Sequence, residues 1–153
     1  GLEILKKKIS SNKNLKQYFI KKYLYPIPCK LGPLIVNHVN SMKDISDGLI
    51  GDLTDMLNDK YGALINVNKI PLSAKTKNIL NNINNCRLED LLNAGDDYEL
   101  IIISNQKNRN KIFNIANKNN INVTLIGKII NKKGIHFDSH LDMKNMKKFD
   151  HFS

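Results

Sequence analysis

Within "KDISDGLIGDL", Lys43 to Leu53, two carboxylates, a hydroxyl and a glycine fall inside five positions: Asp44, Ser46, Asp47 and Gly48. They stand where an apolar strand pattern gives way to an amphipathic helix. A helix that begins near Gly48 presents free backbone N–H groups and the positive end of its dipole, and such an end attracts phosphate. Carboxylates beside it repel phosphate unless a cation lies between, and Mg²⁺ favours one or two carboxylates completed by water and phosphate oxygens. Asp44 and Asp47 are therefore candidate Mg²⁺ ligands and Ser46 a candidate phosphate contact, while Gly48 lets backbone come close to a ligand. The same residue types also cap helices, with Asp47 or Ser46 as the cap and Asp44 merely exposed. Spacing alone leaves both readings open.

A second polar cluster is "NAGDDYEL", Asn93 to Leu100, a small-residue turn that ends in Asp96 and Asp97 ahead of an apolar strand. Acids at a strand edge facing a turn suit a polar ligand, and Tyr98 adds an aromatic surface. A solvated turn accounts for the same residues. In the tail "KKFDHFS", Phe149 and Phe152 either dock on the core or stack on a planar ligand. The four histidines form no HxH pair. His136 and His140 are four apart but come after a strand, so no zinc site is expected. GxGxxG, GKS/GKT and GxSxG are absent, which removes the commonest nucleotide-loop and hydrolase motifs.

The elements that must position these residues read as one domain of 153 residues, long enough to bury a core. Helical spacing marks Leu2–Ile9 and Leu15–Leu24, and three prolines and a glycine in "YPIPCKLGP" then interrupt regular structure. Residues 35–39 are ambiguous. "SMKDIS" reads as a strand with Asp44 and Ser46 on one face and Ile45 turned to the core. Helix is expected from Gly48 to about Asp59, with Leu49, Leu53, Met56 and Leu57 as its buried stripe. Strands are expected near Met42–Ser46, Ala63–Val67, Tyr98–Ile103 and Asn122–Ile129, with an "NKKG" turn leading into "IHF". Helices are expected over Ser73–Ile83, Leu88–Leu92 and Lys107–Asn117. Strands alternating with helices give an α/β (α+β) class, with a mixed β-sheet covered by helices.

Composition narrows the function. A net charge of +10 invites a nucleic-acid reading. The lysines, however, fall on nearly every segment amid Asn and Ile, so a solvated surface is the expectation and nucleic acid is not. The apolar runs are too short to span a bilayer, and the charged start lacks a secretory core. Cys29 and Cys86 form no CxxC pair and suit a reduced cytoplasm. The abrupt "GLEIL" reads as a cut inside a longer protein.

Taken in order, "YLYPIP", "SMKDISDGLIGDL", "GALINVNKIPLS", "AGDDYELII", "IGKI" and "FDHF" resemble the C-terminal half of the thiamine-monophosphate kinase family. That family lies within the superfamily typified by aminoimidazole ribonucleotide synthetase and selenophosphate synthetase. The resemblance covers about Leu2 to Phe152. It implies a loosely ferredoxin-like domain of an enzyme that moves the γ-phosphoryl of ATP directly onto thiamine monophosphate, giving thiamine diphosphate with the aid of Mg²⁺. It implies Mg²⁺ on Asp44 and Asp47, ATP on Ser46 and Gly48, and thiamine monophosphate near Asp97, Tyr98 and Phe152, with no catalytic residue separate from these ligands. It also implies a missing N-terminal domain through which the full-length enzyme forms a homodimer, so this chain alone is expected to be inactive. The chain departs from the family pattern at Ala94–Asp97, where relatives have Gly-Gly-Glu-Asp, and at Cys29, where they often carry arginine. Two alternatives stand beside this reading: another ATP-dependent enzyme of the superfamily, and a non-catalytic basic binding module.

Overall fold

Leu15, Phe19 and Ile20 recur at helical spacing, and Lys13–Leu24 forms α1, which stops short of Pro26. The computed structural model describes residues 13–82, 86–95 and 98–139, so the expected helix over Leu2–Ile9, the acids Asp96 and Asp97, and the tail with Phe152 lie outside the described residues. Past the prolines comes a single short helix, α2 (Gly32–Ile35), with Pro33 in its first turn, and then a 3₁₀ turn over Val36–His38. This resolves the ambiguous stretch as helical. The order continues β1 (Ser41–Asp44), α3 (Leu49–Met56), β2 (Gly62–Ile65), α4 (Ala74–Asn82), α5 (Leu88–Leu92), β3 (Leu100–Ile103), α6 (Arg109–Lys118), β4 (Gly127–Ile130) and β5 (Gly134–Phe137). Ser73 starts α4 by accepting the Thr76 N–H on its Oγ at 3.0 Å, a side-chain cap of the usual kind.

The α/β class with mixed strands and covering helices is as the sequence led us to expect. The strands, however, divide into two sheets where one was expected. β1 pairs antiparallel with β3, and β2 lies between an antiparallel β4 and a parallel β5. The order of the three-stranded sheet depends on Gly62. β4 and β5 flank β2 on opposite sides, so the link between them must cross the end of β2. A Cβ on Gly62 would collide with the carbonyl oxygens of Lys132 and Gly134. Glycine at this point lets the link pass.

The β1–β3 register explains how the core divides. Opposed residues in an antiparallel pair share a face. Met42 and Asp44 lie opposite Ile102 and Leu100, and on that face Met42, Leu100 and Ile102 pack against Leu31 just before α2, Ile35 of α2, and Ile112 and Ala116 of α6. Lys43 lies opposite Ile101, on the face that meets α3. There Leu49 and Leu53 join Ala63, Ile65, Leu92 and Ile101, with Met56 and Leu57 packed at the margin. Of the α3 stripe read from the sequence, Leu49 and Leu53 are buried and Met56 is half-buried, while the helix ends at Met56 rather than near Asp59 and leaves Leu57 just beyond it; α3 touches both β1 and β5, joining the two sheets. A third cluster sets Ile79 and Cys86 against Leu15, Phe19 and Ile20 of α1.

Candidate functional site

β1 ends at Asp44, two residues earlier than the pattern suggested, and Ile45–Gly48 forms a tight loop before α3. The loop is held from inside the helix. Asp52, on the first turn of α3, is 0% exposed. Its Oδ2 accepts the backbone N–H groups of Ser46 and Asp47, each at 2.9 Å. The open N-terminus of α3 favours a carboxylate there. Lys43 reaches over from β1 with its ammonium 2.7 Å from Asp52 Oδ1 and 3.1 Å from Asp55 Oδ2. The approach to Oδ1 is an ion pair, made to a carboxylate that is itself fully buried. The contact with Asp52 raises the Lys43 pKa above 10.5; desolvation works against this, and Asp55 adds to the rise.

Asp47, Asp52 and Asp55 bring one carboxylate oxygen each to within 4.8 Å of one another. Two such charges repel by about 3 kcal/mol at an effective dielectric of about 20, and the Lys43 ammonium beside Asp52 and Asp55 offsets part of that. Its donors are all oxygen, which suits a hard ion such as Mg²⁺. Of the two metal ligands proposed from the sequence, Asp47 belongs to this group. Asp44 is exposed at the end of β1, on the α2/α6 face of the β1–β3 pair rather than the face bearing Lys43.

The two polar clusters, about fifty residues apart in sequence, meet in space. Gly48 has φ +96°, and a Cβ on it would lie 2.7 Å from the carbonyl carbon of Asn93. A Cβ on Gly95 would collide with the Ser46 carbonyl oxygen. Each glycine thus lets one loop seat against the other, and the close neighbour of Gly48 is Asn93 itself. Tyr98 lies at the same seam. It falls just before β3, not within it, at φ +53°. Its N–H donates to Ile45 O at 3.0 Å, and its carbonyl accepts the Cys29 N–H at 3.3 Å. A bulky residue in the left-handed region is uncommon, and here both of its backbone polar groups are bonded. Ser46, Asp47, Gly48 and Tyr98 therefore come together around one junction. Asp97 and Phe152 lie outside the described residues.

Sequence reasoning missed Lys43, Asp52 and Asp55. The signal was an acid inside the apolar stripe of α3: Asp52 falls three residues after Leu49 and next to Leu53, so helical spacing carries it inward. A buried acid calls for a partner, and the nearest cation ahead of the loop in sequence is Lys43.

A family described as AIR synthase related protein, C-terminal domain, matches residues 5–139. The thiamine-monophosphate kinase of Buchnera aphidicola subsp. Acyrthosiphon pisum (strain APS) is 42% identical over 159 residues, covering 99% of this chain and 48% of that protein. The enzyme of the same name from Buchnera aphidicola subsp. Schizaphis graminum (strain Sg) is 40% identical over 162 residues, with the same coverage of 99% and 48%. The chain spans about half the length of the curated relatives it matches. Among solved structures, one described as AaThiL complexed with AMPPCP and TMP superposes with a TM-score of 0.77 at 23% identity, covering 99% of this chain and 46% of that one. That likeness concerns the fold. Among the described residues no helix is long and apolar enough to cross a membrane.

Proposed function

The chain belongs to the family of AIR synthase related protein C-terminal domains, and from that premise we propose that it is the C-terminal half of an enzyme that phosphorylates thiamine monophosphate to thiamine diphosphate with ATP. The observation that carries the reading is the junction of the two polar clusters. It sets a Ser-Asp-Gly loop at a helix start against the turn that leads into Tyr98. The relatives named thiamine-monophosphate kinase, at 42% and 40% identity across nearly all of this chain, support the substrate.

In this reading the Ser46 hydroxyl and the α3 N-terminus bind phosphate oxygens of ATP, and Gly48 keeps the loop low enough for them to approach. Asp47 and, from the other face at the end of β1, Asp44 would each hold Mg²⁺, which when bound neutralises the phosphates that must meet. Asp97, Tyr98 and Phe152 take the thiamine end, where an aromatic face suits the rings and a carboxylate suits the thiazolium charge. The protein's own contribution is positioning and electrostatics, with no covalent intermediate. The remaining half of the longer enzyme completes the site and carries its homodimer contact, and the enzyme works in the cytoplasm.

The test is thiamine diphosphate formation from Mg-ATP and thiamine monophosphate. It would be run with this chain alone and with the chain restored to the full length of its relatives. Turnover only in the restored protein is the expected result. Two folded but inactive proteins would overturn the reading.

A further inference from the structure

The Asp47–Asp52–Asp55 group looks like an ion site, yet a cation of the chain itself already stands in part of it. The Lys43 ammonium lies 2.7 Å from Asp52 Oδ1 and 3.1 Å from Asp55 Oδ2. Asp52 is fully buried, so its Oδ1 faces that ammonium away from water. The other oxygen of the same carboxylate holds the Ser46 and Asp47 N–H groups. The Asp52 carboxylate is thus shared between the loop amides on Oδ2 and the Lys43 ammonium at Oδ1.

We propose that Lys43 is a built-in cation, holding between Asp52 and Asp55 the position a divalent ion would otherwise take, and that it thereby fixes the Ser46–Asp47 loop independently of any metal. A lysine is suited to this. Its stem is anchored on β1, opposite the buried Ile101, and its head is a compact charge with three donors. A divalent ion in the same place would need only carboxylate and water oxygens, which Asp52, Asp55 and solvent supply, the Asp55 side chain being 40% exposed. The consequence is a loop shaped before nucleotide or metal arrives. The proposal rests on the ion-pair geometry and not on the kinase reading, so either can fail without the other.

The test is Mn²⁺ binding to the 153-residue chain, read by the electron paramagnetic resonance of free Mn²⁺, beside hydrogen exchange at the Ser46 and Asp47 amides in Mg²⁺. Lys43→Met should bind one ion more than the unaltered chain, and Lys43→Met/Asp55→Asn should lose it again. Lys43→Arg, which keeps a cation, should gain none. Without a divalent ion, exchange at the two amides of Lys43→Met should rise at least about tenfold, about 1.4 kcal/mol of lost protection, and Mg²⁺ should restore it. A Lys43→Met chain that folds only when the ion is present would support the proposal equally. A folded Lys43→Met chain with unchanged ion count and unchanged exchange would overturn it. So would a variant that no divalent ion can fold, since the ion would then be no equivalent of the ammonium.

Discussion

Gly48 and Asn93 stand in backbone contact: a Cβ on the glycine would lie 2.7 Å from the asparagine carbonyl carbon, and the glycine sits at φ +96°, ψ 152°. That region of backbone space is nearly closed to residues with a side chain. Gly48→Ala therefore combines strain with a collision against main chain that cannot swing aside. It should cost about 2–4 kcal/mol, measured by urea unfolding. Gly51, three residues on, is the control. It lies inside α3, and its added Cβ meets Asp47 Cβ at an ordinary 3.7 Å. Gly51→Ala should be neutral or stabilising by up to about 1 kcal/mol.

Asp52→Asn tests the clamp. Asparagine keeps the shape, but its one carbonyl oxygen must serve either the two N–H groups or the side facing Lys43, and no negative charge remains for the ammonium. Removing one partner of a buried pair is costly, but the Lys43 side chain is 30% exposed and water recovers part of the loss. We expect about 2–3 kcal/mol, or roughly 5–10 °C in Tm for a domain of this size. A Tm within about 1 °C of the unaltered chain would show that Asp52 holds nothing.

How far the site could be read from the sequence turns on this same residue. The loop, the helix after it and the stripe of Leu49 and Leu53 were plain, because each rests on local spacing. So were β3, a leucine followed by three isoleucines, and β1, the short stretch that leads into the polar loop. The meeting of Gly48 with Asn93 and of Gly95 with Ser46 was not, because it depends on which strands pair, and β1–β3 pairing joins segments far apart in the chain. Nor was the division into two sheets, or the β4–β5 link that crosses β2 at Gly62, since both depend on the same long-range pairing. Residues 122–126 had the alternation of a strand, yet only Gly127–Ile130 pairs along β2. Beyond that ladder a single further bond, Asn66 N–H to Ile126 O at 2.7 Å, extends the contact.

Alkaline stability should reveal Lys43. Its contact with Asp52 lifts the folded pKa above the ordinary 10.5. A raised lysine pKa contributes stability that is fully present below 10.5 and is lost as pH rises through the folded value. Lys43→Arg keeps its charge throughout this range. Thermal melts above pH 10.5 should therefore show the unaltered chain losing more stability than Lys43→Arg does. Parallel declines in the two would mean that the ion pair adds nothing to folding.

Asp47→Asn separates function from folding. Asp47 is one of three carboxylates gathered within 4.8 Å, and asparagine keeps its shape while removing its charge, so Tm is measured beside turnover. If Asp47 holds Mg²⁺ for phosphoryl transfer, the same change in the full-length enzyme should cut kcat by about 10²-fold or more, as losing a charge-stabilising group at a reacting centre does. Asp59→Asn is the comparison. Asp59 pairs with Lys133 at a fully exposed site, where the lysine lowers its pKa, and such pairs contribute little. It should leave turnover unchanged. Measured side by side, a stable but inactive Asp47→Asn enzyme beside a fully active Asp59→Asn enzyme would assign the loop to chemistry. Full activity in both would return Asp47 to the part of a helix-start residue and leave the phosphate site to be sought elsewhere on the chain.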